Sequence, residues 1–278
     1  MAGKPGPSSR SAAVTLRLRP LAELSASAAK ALTGVLTDID DTLTLHGRLI
    51  PAAFDAMARA KASGLVVIPV TGRPAGWCDH VARMWPCDGV VGENGGLWFS
   101  MRGGRLVRAF SQPEAVRGEN RAKLAAIRDA VLREVPGTAV ASDQPYRELD
   151  LAIDFAEDVP VMSDAEIDRI VAIFERFGAT CKVSSIHVNG WYGAFDKLSG
   201  FHGLVSDLGL DPAPAAWAYA GDSANDAPMF AHFPLSMGVA NVDRWLPRIP
   251  TPPAFRSSAE GGWGFAQLID RLLTLRAS

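Results

Sequence analysis

The chain has 278 residues, of which 48% are hydrophobic and 21% are charged, and this predicts a globular protein with one large domain or two moderate ones. Its formal net charge of −2 and the lack of a long Lys/Arg cluster argue against nucleic acid or an acidic membrane surface as the main partner. No apolar stretch approaches the roughly 20 residues of a membrane span, so no membrane partner is predicted.

The beginning of the chain and the cysteines bear on where the protein works. Residues 1–30 lack the continuous apolar segment of a signal peptide and are predicted to be a partly disordered leader, although 21–32 could form a helix. Cys78, Cys87 and Cys181 are odd in number and have no CxxC spacing, which fits a reducing compartment better than a disulfide framework or a zinc site. We therefore predict a cytoplasmic protein.

From Gly34 onward, short β-rich runs alternate with helical patterns, which predicts βαβ units and a parallel sheet. The continuous apolar run 65–70 is typical of a strand that is covered on both faces. Two alternating runs around Gly103 and Gly104 predict a hairpin. The elements predicted in this part are a strand at 34–37, a helix at 51–63, strands at 65–70 and 89–92 with a helix at 76–84 between them, and the hairpin at 97–110.

The alternation of predicted strands and helices changes after the hairpin and returns after Gly190. A helix at 120–135, a strand at 148–155, a helix at 164–177 and a strand at 180–188 predict a separate α+β domain over 111–188, inserted into the parallel domain. After Gly190 the α/β pattern returns, with a helix at 197–208, a strand at 215–220, a helix from about 225, a strand at 235–239 and a helix at 264–275. The predicted fold class is α/β, with the main domain formed by 31–110 and 189–278.

The first polar motif, Asp38-x-Asp40-x-Thr42, follows the first predicted strand. In an open parallel sheet, active sites form at the carboxyl ends of the strands. Residues alternate along an extended backbone, so Asp38 and Asp40 can face the same side and divide nucleophilic and proton-transfer duties. A solvated acidic turn is the simpler alternative. A calcium loop is excluded, because Leu43 and Leu49 stand where an EF-hand requires Gly and Glu.

Two further motifs could hold a phosphate group. Thr71-Gly72-Arg73 follows the second predicted strand, where a hydroxyl and adjacent backbone N–H groups at a tight turn could bind a phosphate oxygen. Lys197 stands near the start of a predicted helix. Taken alone, the first is better explained as a structural turn and the second as a solvated lysine.

The last motif places two carboxylates, Asp222 and Asp226, four residues apart where a strand ends. Magnesium prefers carboxylate oxygens, and a strand-end Asp that meets Asp38 across the sheet supplies them. The alternative is a helix N-cap, which Asp222 or Ser223 would satisfy.

The four motifs, DxDxT, Thr, Lys and GDxxxD, follow one another in an order that resembles the haloacid dehalogenase (HAD) superfamily phosphatases over about residues 33–275. The chain is most similar to subfamily IIB, whose large α+β cap of the C2B type lies between the second and third motifs. That subgroup contains the Cof-type, sucrose-phosphate and mannosyl-3-phosphoglycerate phosphatases. The resemblance implies a Rossmann-like, doubly wound parallel sheet as the catalytic core.

The resemblance also implies roles for the motif residues. Asp38 would be the nucleophile that forms an aspartyl-phosphate, and Asp40 would protonate the leaving alcohol and then deprotonate water. Asp38, the backbone carbonyl of Asp40 and Asp222 would bind Mg²⁺, with Asp226 as a further or water-mediated ligand.

Thr71 and Lys197 would hold the equatorial phosphate oxygens. Gly72, Arg73 and Asn225 are further candidates for binding the phosphate or the rest of the substrate. One departure from the pattern is Asp41, which stands where many relatives have Gly and which we expect to make the turn less flexible and locally more acidic.

The candidates for substrate recognition lie near the ends of the predicted cap: Glu93 and Asn94 on one side, His187 and Trp191 on the other. Polar groups beside aromatic rings suit a sugar or polyol phosphate, and a cap can exclude water from the reaction. Interdomain packing is the alternative for Trp191, and an internally satisfied strand residue is the alternative for His187.

Three functions remain to be compared. The first is an Mg²⁺-dependent phosphomonoesterase that acts on a small phosphorylated metabolite such as a sugar or polyol phosphate. A phosphosugar mutase would use the same Asp38 without net release of phosphate. A non-catalytic phospho-ligand binding module is disfavoured, because every acid of the motifs and Lys197 are present.

Overall fold

The computed structural model describes residues 18–278. Its strands are β1 Arg19–Pro20, β2 Gly34–Thr37, β3 Thr44–Leu45, β4 Arg48–Leu49, β5 Val66–Pro69, β6 Val90–Gly92, β7 Leu97–Arg102, β8 Arg105–Phe110, β9 Ala139–Val140, β10 Asp150–Asp154, β11 Thr180–Val183, β12 His187–Trp191, β13 Trp217–Gly221, β14 Leu235–Gly238 and β15 Phe255–Arg256. Its helices are α1 Ala26–Lys30, α2 Pro51–Ala62, α3 Ala75–Met84, α4 Glu114–Glu134, α5 Asp164–Arg176, α6 Lys197–Leu208, α7 Ala227–His232 and α8 Gly261–Ala277. Within these residues, no helix has both the length and the apolar character needed to cross a membrane.

The central sheet has the strand order β1-β15-β14-β13-β2-β5, and all its neighbouring strands are parallel. A single bridge between Val70 and Val91 brings β6 to the outer side of β5. Successive residues of β2 belong to different apolar clusters, with Val35 packed on the side of α2 and α8 and Leu36 on the side of α6 and α7. The sheet is therefore covered by helices on both faces, as the continuous apolar runs predicted.

The middle strand β2 is shaped by close packing at its first residue. A Cβ atom at Gly34 would lie 2.5 Å from the Trp217 ring and 2.6 Å from the backbone oxygen of Val66, so glycine allows the neighbouring strands to approach. The other residues of β2 are completely buried. This strand points its carboxyl end, and hence Asp38, into the centre of one edge of the sheet.

A second sheet lies between the two halves of the core in sequence. Its order is β11-β12-β10-β9, and its pairs are antiparallel. Helices α4 and α5 pack on it, and the inward residues of α5, among them Ile167, Ile170 and Phe174, are fully buried. The Ser163–Glu166 capping box fixes the start of α5. The predicted fold class, a doubly wound α/β core with an inserted α+β cap, is confirmed.

The predicted single strand at 180–188 is wrong, because this segment is a hairpin of β11 and β12. The Ser184 hydroxyl forms the turn by accepting hydrogen bonds from the backbone N–H groups of Ile186 (3.3 Å) and His187 (2.9 Å). A turn built on serine has neither Gly nor Pro to mark it in the sequence. Since β12 pairs with β10 as far as Trp191, the cap sheet extends past residue 188, where the boundary was predicted.

Part of the predicted leader is folded. Residues 1–17 lie outside the described part of the chain, but β1 pairs with β15 and the Ser25 side chain caps α1. The Arg271 side chain donates to the Ala22 carbonyl (2.8 Å), and the Arg276 side chain donates to the Ala29 carbonyl (3.0 Å). The leader predicted over 1–30 is therefore too long, because these short elements are fixed by α8, which is distant in sequence.

Two glycines of the cap offer a matched test of its packing. A methyl group at Gly190 of β12 would overlap the ring of Phe174, whereas one at the exposed Gly118 of α4 would meet only the end of a flexible Arg121 side chain at 3.9 Å. We expect Gly190→Ala to lower the free energy of unfolding by about 1–3 kcal/mol, since overpacking forces side chains from their preferred positions. Gly118→Ala is expected to leave it unchanged or raise it by about 0.5–1 kcal/mol. Urea unfolding measures both, and equal effects would contradict the packing described for β12 and α5.

Candidate active site

Three neighbouring strands of the central sheet deliver polar residues to one edge. Asp38 follows β2, Thr71 closely follows β5 and Asp222 follows β13, and these strands lie side by side in the order β13-β2-β5. The ladder continues one residue beyond β2, because the Asp38 N–H donates to the Ala220 carbonyl at 2.9 Å. The structure thus brings the first, second and fourth motifs to the same edge, as expected for strand ends of a parallel sheet.

Lys197 joins this group from the first residue of α6. Its Nζ lies 2.9 Å from Asp38 Oδ1 and 2.6 Å from Asp226 Oδ1, and its side chain is fully buried. Burial alone would lower the pKa of Lys197, but the carboxylates of Asp226 and Asp38 outweigh it and raise the pKa above its usual value. The lysine is therefore a fixed cation beside the first carboxylate of the DxDxT motif.

Asp38, Asp222 and Asp226 meet the requirements of a site for a hard metal ion. One carboxylate oxygen from each can be chosen so that all lie within 4.8 Å of one another, and the three residues are buried. Burial raises the pKa of Asp38 to about 7, although Lys197 opposes this, and burial together with Asp226 and Asp38 raises the pKa of Asp222 well above its usual value. A divalent cation would offset this concentration of negative charge, and the all-oxygen donor set suits Mg²⁺.

The carboxylate of Asp226 is fully engaged by the protein. Its Oδ1 accepts hydrogen bonds from Lys197 Nζ and the Tyr219 hydroxyl, and its Oδ2 accepts them from the backbone N–H groups of Asp222 (2.9 Å) and Ser223 (3.1 Å). These four donors use the acceptor capacity of the carboxylate. Of the two roles predicted for Asp226, the contacts favour the water-mediated one over direct coordination.

Two residues that sequence reasoning left without a role hold Asp222 in place. The hydroxyl of Thr42 donates to Asp222 Oδ1 and the amide of Asn241 donates to Oδ2, each at 3.3 Å. The same Asn241 amide donates to the Asp41 carbonyl at 2.9 Å. Asn241 follows β14 closely, and this position beyond the carboxyl end of a strand is the sequence signal that could have identified it.

Thr71 keeps a donor available for a ligand. Its hydroxyl oxygen accepts a hydrogen bond from the backbone N–H of Arg73 at 3.0 Å, which orients the side chain and leaves the hydroxyl hydrogen free to be donated. The Gly72 carbonyl accepts a hydrogen bond from Arg147 of the cap at 2.8 Å. This geometry is compatible with the predicted phosphate-binding role of Thr71 and gives Gly72 a contact with the cap.

Arg73, predicted to bind the substrate, is instead engaged by three carboxylates. Its Nε and Nη2 donate to both oxygens of Asp40 at 2.8–3.0 Å. Its Nη2 also donates to Glu157 at 2.6 Å, and its Nη1 lies 3.3 Å from Asp143. Since Asp143 and Glu157 belong to the cap, the guanidinium links the two parts of the molecule and has no hydrogen left for a phosphate. The substrate-binding role of Arg73 stays a prediction, and its contacts with Asp143 and Glu157 had no signal in the sequence.

His187 contacts the Arg73 network through Glu157. Its Nε2 lies 2.9 Å from Glu157 Oε2, and its side chain is buried. Burial would raise the pKa of Glu157, but the hydrogen bonds from His187 and Arg73 outweigh it and lower the pKa to about 2. Glu157 is therefore an anion, and the buried His187 side chain contacts it rather than open space.

Glu93 is a structural residue rather than a substrate contact. Its side chain is completely buried, and its carboxylate accepts hydrogen bonds from four backbone N–H groups, those of Ala75, Glu148, Leu149 and Asp150. Ala75 begins α3 of the core, whereas the other three residues lead into β10 of the cap. The substrate-binding role predicted for Glu93 is wrong, since its carboxylate joins the two parts of the chain.

Trp191 also belongs to the packing. It is fully buried, its ring stacks on Phe195 with 5.2 Å between centroids, and its Nε1 donates to the Phe195 carbonyl at 3.2 Å. The predicted substrate contact is therefore wrong, and the alternative of packing between elements is correct.

Asn94 and Asn225, from distant parts of the sequence, are brought together. The Ser223 hydroxyl donates to Asn225 Oδ1 (2.9 Å), and the Asn225 amide donates to Asn94 Oδ1 (3.3 Å). This chain of bonds fixes the orientation of both amides. Asn94 Nδ2 is buried and has no hydrogen-bond partner among residues 18–278.

Asp41 adopts a backbone conformation that usually favours glycine. Its φ is 54°, and its N–H donates to the Thr44 hydroxyl at 2.8 Å. Glycine forms such a left-handed turn most easily, and Asp is one of the residues that tolerates it. Burial raises the pKa of the Asp41 carboxyl above its usual value, while neighbours that include Ser185 lower it.

Two curated phosphatases are similar to this chain over most of its length. No family model matches it. A phosphoglycolate phosphatase of Natronomonas pharaonis is 28% identical over 239 residues, which cover 84% of this chain and 95% of the relative. A phosphoglycolate phosphatase of Methanospirillum hungatei is 26% identical over 245 residues, which cover 86% of this chain and 95% of the relative.

Solved structures share the fold over nearly their whole length. The Thermoplasma acidophilum 0175 protein has a TM-score of 0.67 at 20% identity, with 87% of this chain and 98% of that chain covered. The sucrose-phosphatase of Synechocystis sp. PCC6803 has a TM-score of 0.61 at 15% identity, with coverage of 87% and 98%. A HAD subclass IIB sugar phosphatase has a TM-score of 0.54 at 15% identity, with coverage of 81% and 93%.

The fold with its inserted cap and the four motifs at one edge of its sheet agree with these comparisons. The resemblance that the motifs predicted is confirmed, since the solved structures that share this fold include a sugar phosphatase of HAD subclass IIB and a sucrose-phosphatase. Its curated relatives are phosphatases, and the prediction of a HAD-type phosphatase is confirmed.

The Arg73 network can be tested through stability. Arg73→Met would leave the carboxylates of Asp40, Glu157 and Asp143 without their shared cation in a desolvated place, so we expect the free energy of unfolding to fall by about 3 kcal/mol or more. Arg59 bonds two exposed carboxylates, and Arg59→Met is expected to cost at most about 1 kcal/mol. Urea unfolding in low salt compares them, and a loss for Arg73→Met no larger than that for Arg59→Met would show that the network does not stabilise the fold.

Proposed function

We propose that the protein is an Mg²⁺-dependent phosphomonoesterase that hydrolyses a small phosphorylated metabolite, a sugar or polyol phosphate, through an aspartyl-phosphate intermediate. The observation that carries the proposal is the Asp38 carboxylate at the end of β2, 2.9 Å from the buried ammonium group of Lys197 and beside the Asp222 carboxylate. The curated phosphoglycolate phosphatases and the sugar phosphatases among the solved structures support a small phosphorylated substrate.

In the first step, an oxygen of Asp38 attacks phosphorus and the bond to the leaving oxygen breaks. The ammonium group of Lys197 and the hydroxyl of Thr71 supply donors for the phosphoryl oxygens, and Lys197 also offsets the charge of the nucleophile. Mg²⁺, held by the Asp38 and Asp222 carboxylates and the Asp40 carbonyl, would reduce the repulsion between an anionic nucleophile and an anionic phosphate.

Asp40 completes the two steps by transferring protons. It protonates the leaving alcohol as the phosphoaspartate forms, and it then takes a proton from the water that hydrolyses this intermediate. The buried Arg73 side chain donates hydrogen bonds to both carboxylate oxygens of Asp40. These bonds restrict the positions that the carboxylate can take. The hydrogen bonds of Arg73 with the cap make this orientation dependent on where the cap lies.

We also propose a cytoplasmic enzyme that has neither nucleic acid nor a membrane as its partner. The free thiols of Cys78, Cys87 and Cys181 and the small net charge of −2 support this proposal.

Phosphate release tests the proposed nucleophile. With Mg²⁺ and p-nitrophenyl phosphate, we expect Asp38→Asn to lower kcat by at least about a thousandfold, because an amide cannot form the covalent intermediate. Asp129→Asn, at an exposed position of α4, serves as the matched control and should keep the activity of the parent. Inorganic phosphate measured with a sugar phosphate as substrate separates hydrolysis from isomerisation by a mutase. Equal rates for the parent and Asp38→Asn would rule out the mechanism.

Metal binding can be followed without catalysis. Because a ligand that binds only the folded state stabilises it, millimolar Mg²⁺ should raise the thermal midpoint of the metal-free parent by several degrees. Asp222→Asn removes one carboxylate of the cluster and should abolish most of this shift, whereas Asp129→Asn should retain it. Differential scanning fluorimetry with and without EDTA gives the result, and identical shifts in the parent and Asp222→Asn would place the metal elsewhere.

A further inference from the structure

A cavity of about 310 Å³ opens beside Asp40. The core contributes Asp40, Asp41 and Arg73 to its lining, and the cap contributes Glu157 and Ser185. The cavity therefore lies between the two parts of the molecule and next to the proposed proton donor. Its lining is the part of the site that can distinguish one leaving alcohol from another.

Asp41 presents an unpaired carboxylate to this cavity. Its backbone is anchored, since the N–H donates to Thr44 and the carbonyl accepts from Asn241. Among residues 18–278, by contrast, no side chain forms an ion pair with its carboxylate. A glycine would allow the same left-handed turn, so the turn itself does not require a carboxylate.

Ser185 supplies a second polar group, from the cap. It lies in the turn between β11 and β12, it lines the same cavity, and only 8% of it is exposed. Its hydroxyl is buried and has no hydrogen-bond partner among residues 18–278. This hydroxyl lies beside the Asp41 carboxylate, so a hydroxyl group of a ligand can meet both groups at one place in the cavity.

The charges around the cavity decide which ligand that can be. Arg73 is a cation, but Asp40, Glu157 and Asp143 already share it. The other charged groups that line the cavity are Asp41, His46 and Arg244, and the Arg244 side chain is exposed and lies over the Trp245 ring, 4.9 Å from its centroid. A carboxylate in the leaving group would thus face Asp41 and Glu157, whereas a hydroxyl could donate to Asp41 and accept from Ser185.

We propose that Asp41 and Ser185 form a subsite for a hydroxyl group of a neutral leaving alcohol, and that Asp41 selects against leaving groups that carry a carboxylate. This inference rests on the proposed phosphatase function and makes it more specific. It also sets the chain apart from its relatives named for phosphoglycolate, whose leaving group is a hydroxy acid. Asp41 is then a specificity-determining residue next to the proton donor.

The test compares two ligands that differ only at the end of the leaving group. Phosphoglycolate carries a carboxylate where 2-hydroxyethyl phosphate carries a hydroxymethyl group. Their dissociation constants are measured by calorimetry with Mg²⁺ on the Asp38→Asn protein, which binds the ligands without turning them over. We expect 2-hydroxyethyl phosphate to bind at least tenfold more tightly, and we expect addition of Asp41→Asn to reduce this ratio at least fivefold.

Three further variants test whether a change in the ratio of dissociation constants comes from the proposed subsite. Asp158→Asn removes a carboxylate of the cap that does not line the cavity, and it should leave the ratio unchanged. Asp41→Gly keeps the left-handed turn and should change the ratio as Asp41→Asn does, which guards against a folding defect in either one. Ser185→Ala should weaken the binding of 2-hydroxyethyl phosphate several-fold with less effect on phosphoglycolate.

An equal or reversed ratio in the Asp38→Asn protein, or a ratio that neither Asp41 variant changes, would overturn the inference. If phosphoglycolate binds more tightly and Arg244→Gln removes that preference, the cavity takes a carboxylate through Arg244 and the proposal is wrong. Release of phosphate from p-nitrophenyl phosphate by the parent is measured separately. Failure there would contradict the proposed function, whereas the binding ratios would still decide the role of Asp41.

Discussion

The buried ion pairs of Lys197 are the interactions on which the rest of the site depends. Asp38, Asp222 and Asp226 are withdrawn from water, which is strongly unfavourable for carboxylates unless they are paired or hydrogen-bonded. Lys197 pairs with Asp38 and Asp226, but only because α6 begins at this residue, where the Asp196 side chain accepts a hydrogen bond from Ser199 N–H as the helix N-cap. The position of one helix terminus therefore determines whether the carboxylates at the end of β2 can be buried at all.

A second set of buried charged side chains connects the cap to the site in the core. Arg73 extends from the core to Asp143 and Glu157 of the cap, and Arg147 extends from the cap to the Gly72 carbonyl of the core. Separating Arg73 from Asp143 and Glu157 would leave desolvated charges without a partner of opposite charge. In any other position of the cap, these charges would need water or other groups as partners. Because Arg73 also holds Asp40, a movement of the cap would change the contacts of the proposed proton donor. In the proposed mechanism, a movement of the cap and proton transfer would thus be coupled through one guanidinium group.

The sequence predicted the parallel sheet and the residues at its strand ends, because both depend on local patterns: apolar runs, and the polar residues that follow them. Predictions from the sequence failed where a side chain could face either a substrate or another segment of the protein. Glu93 and Trp191 stand where a substrate contact is plausible, but they bond and pack to segments that arrive from elsewhere. The carboxylates of Asp143 and Glu157 were missed for the same reason, since a contact between distant loops has no period in the sequence. The single strand predicted at 180–188 was wrong because Ser184 forms a turn through its side-chain hydroxyl.

The two ends of the site differ in electrostatic character. At the phosphoryl end, Lys197 is the cation that the protein provides, and a bound metal ion would add to it. At the other end, the charge of Arg73 is already shared by three carboxylates, and Asp41 adds a carboxylate in a turn that glycine could form. A substrate whose negative charge is confined to its phosphate fits both ends in one orientation only, with the phosphate towards Lys197 and hydroxyl groups towards Asp41. The polarity of the site thus both orients such a substrate and disfavours one that carries charge at each end.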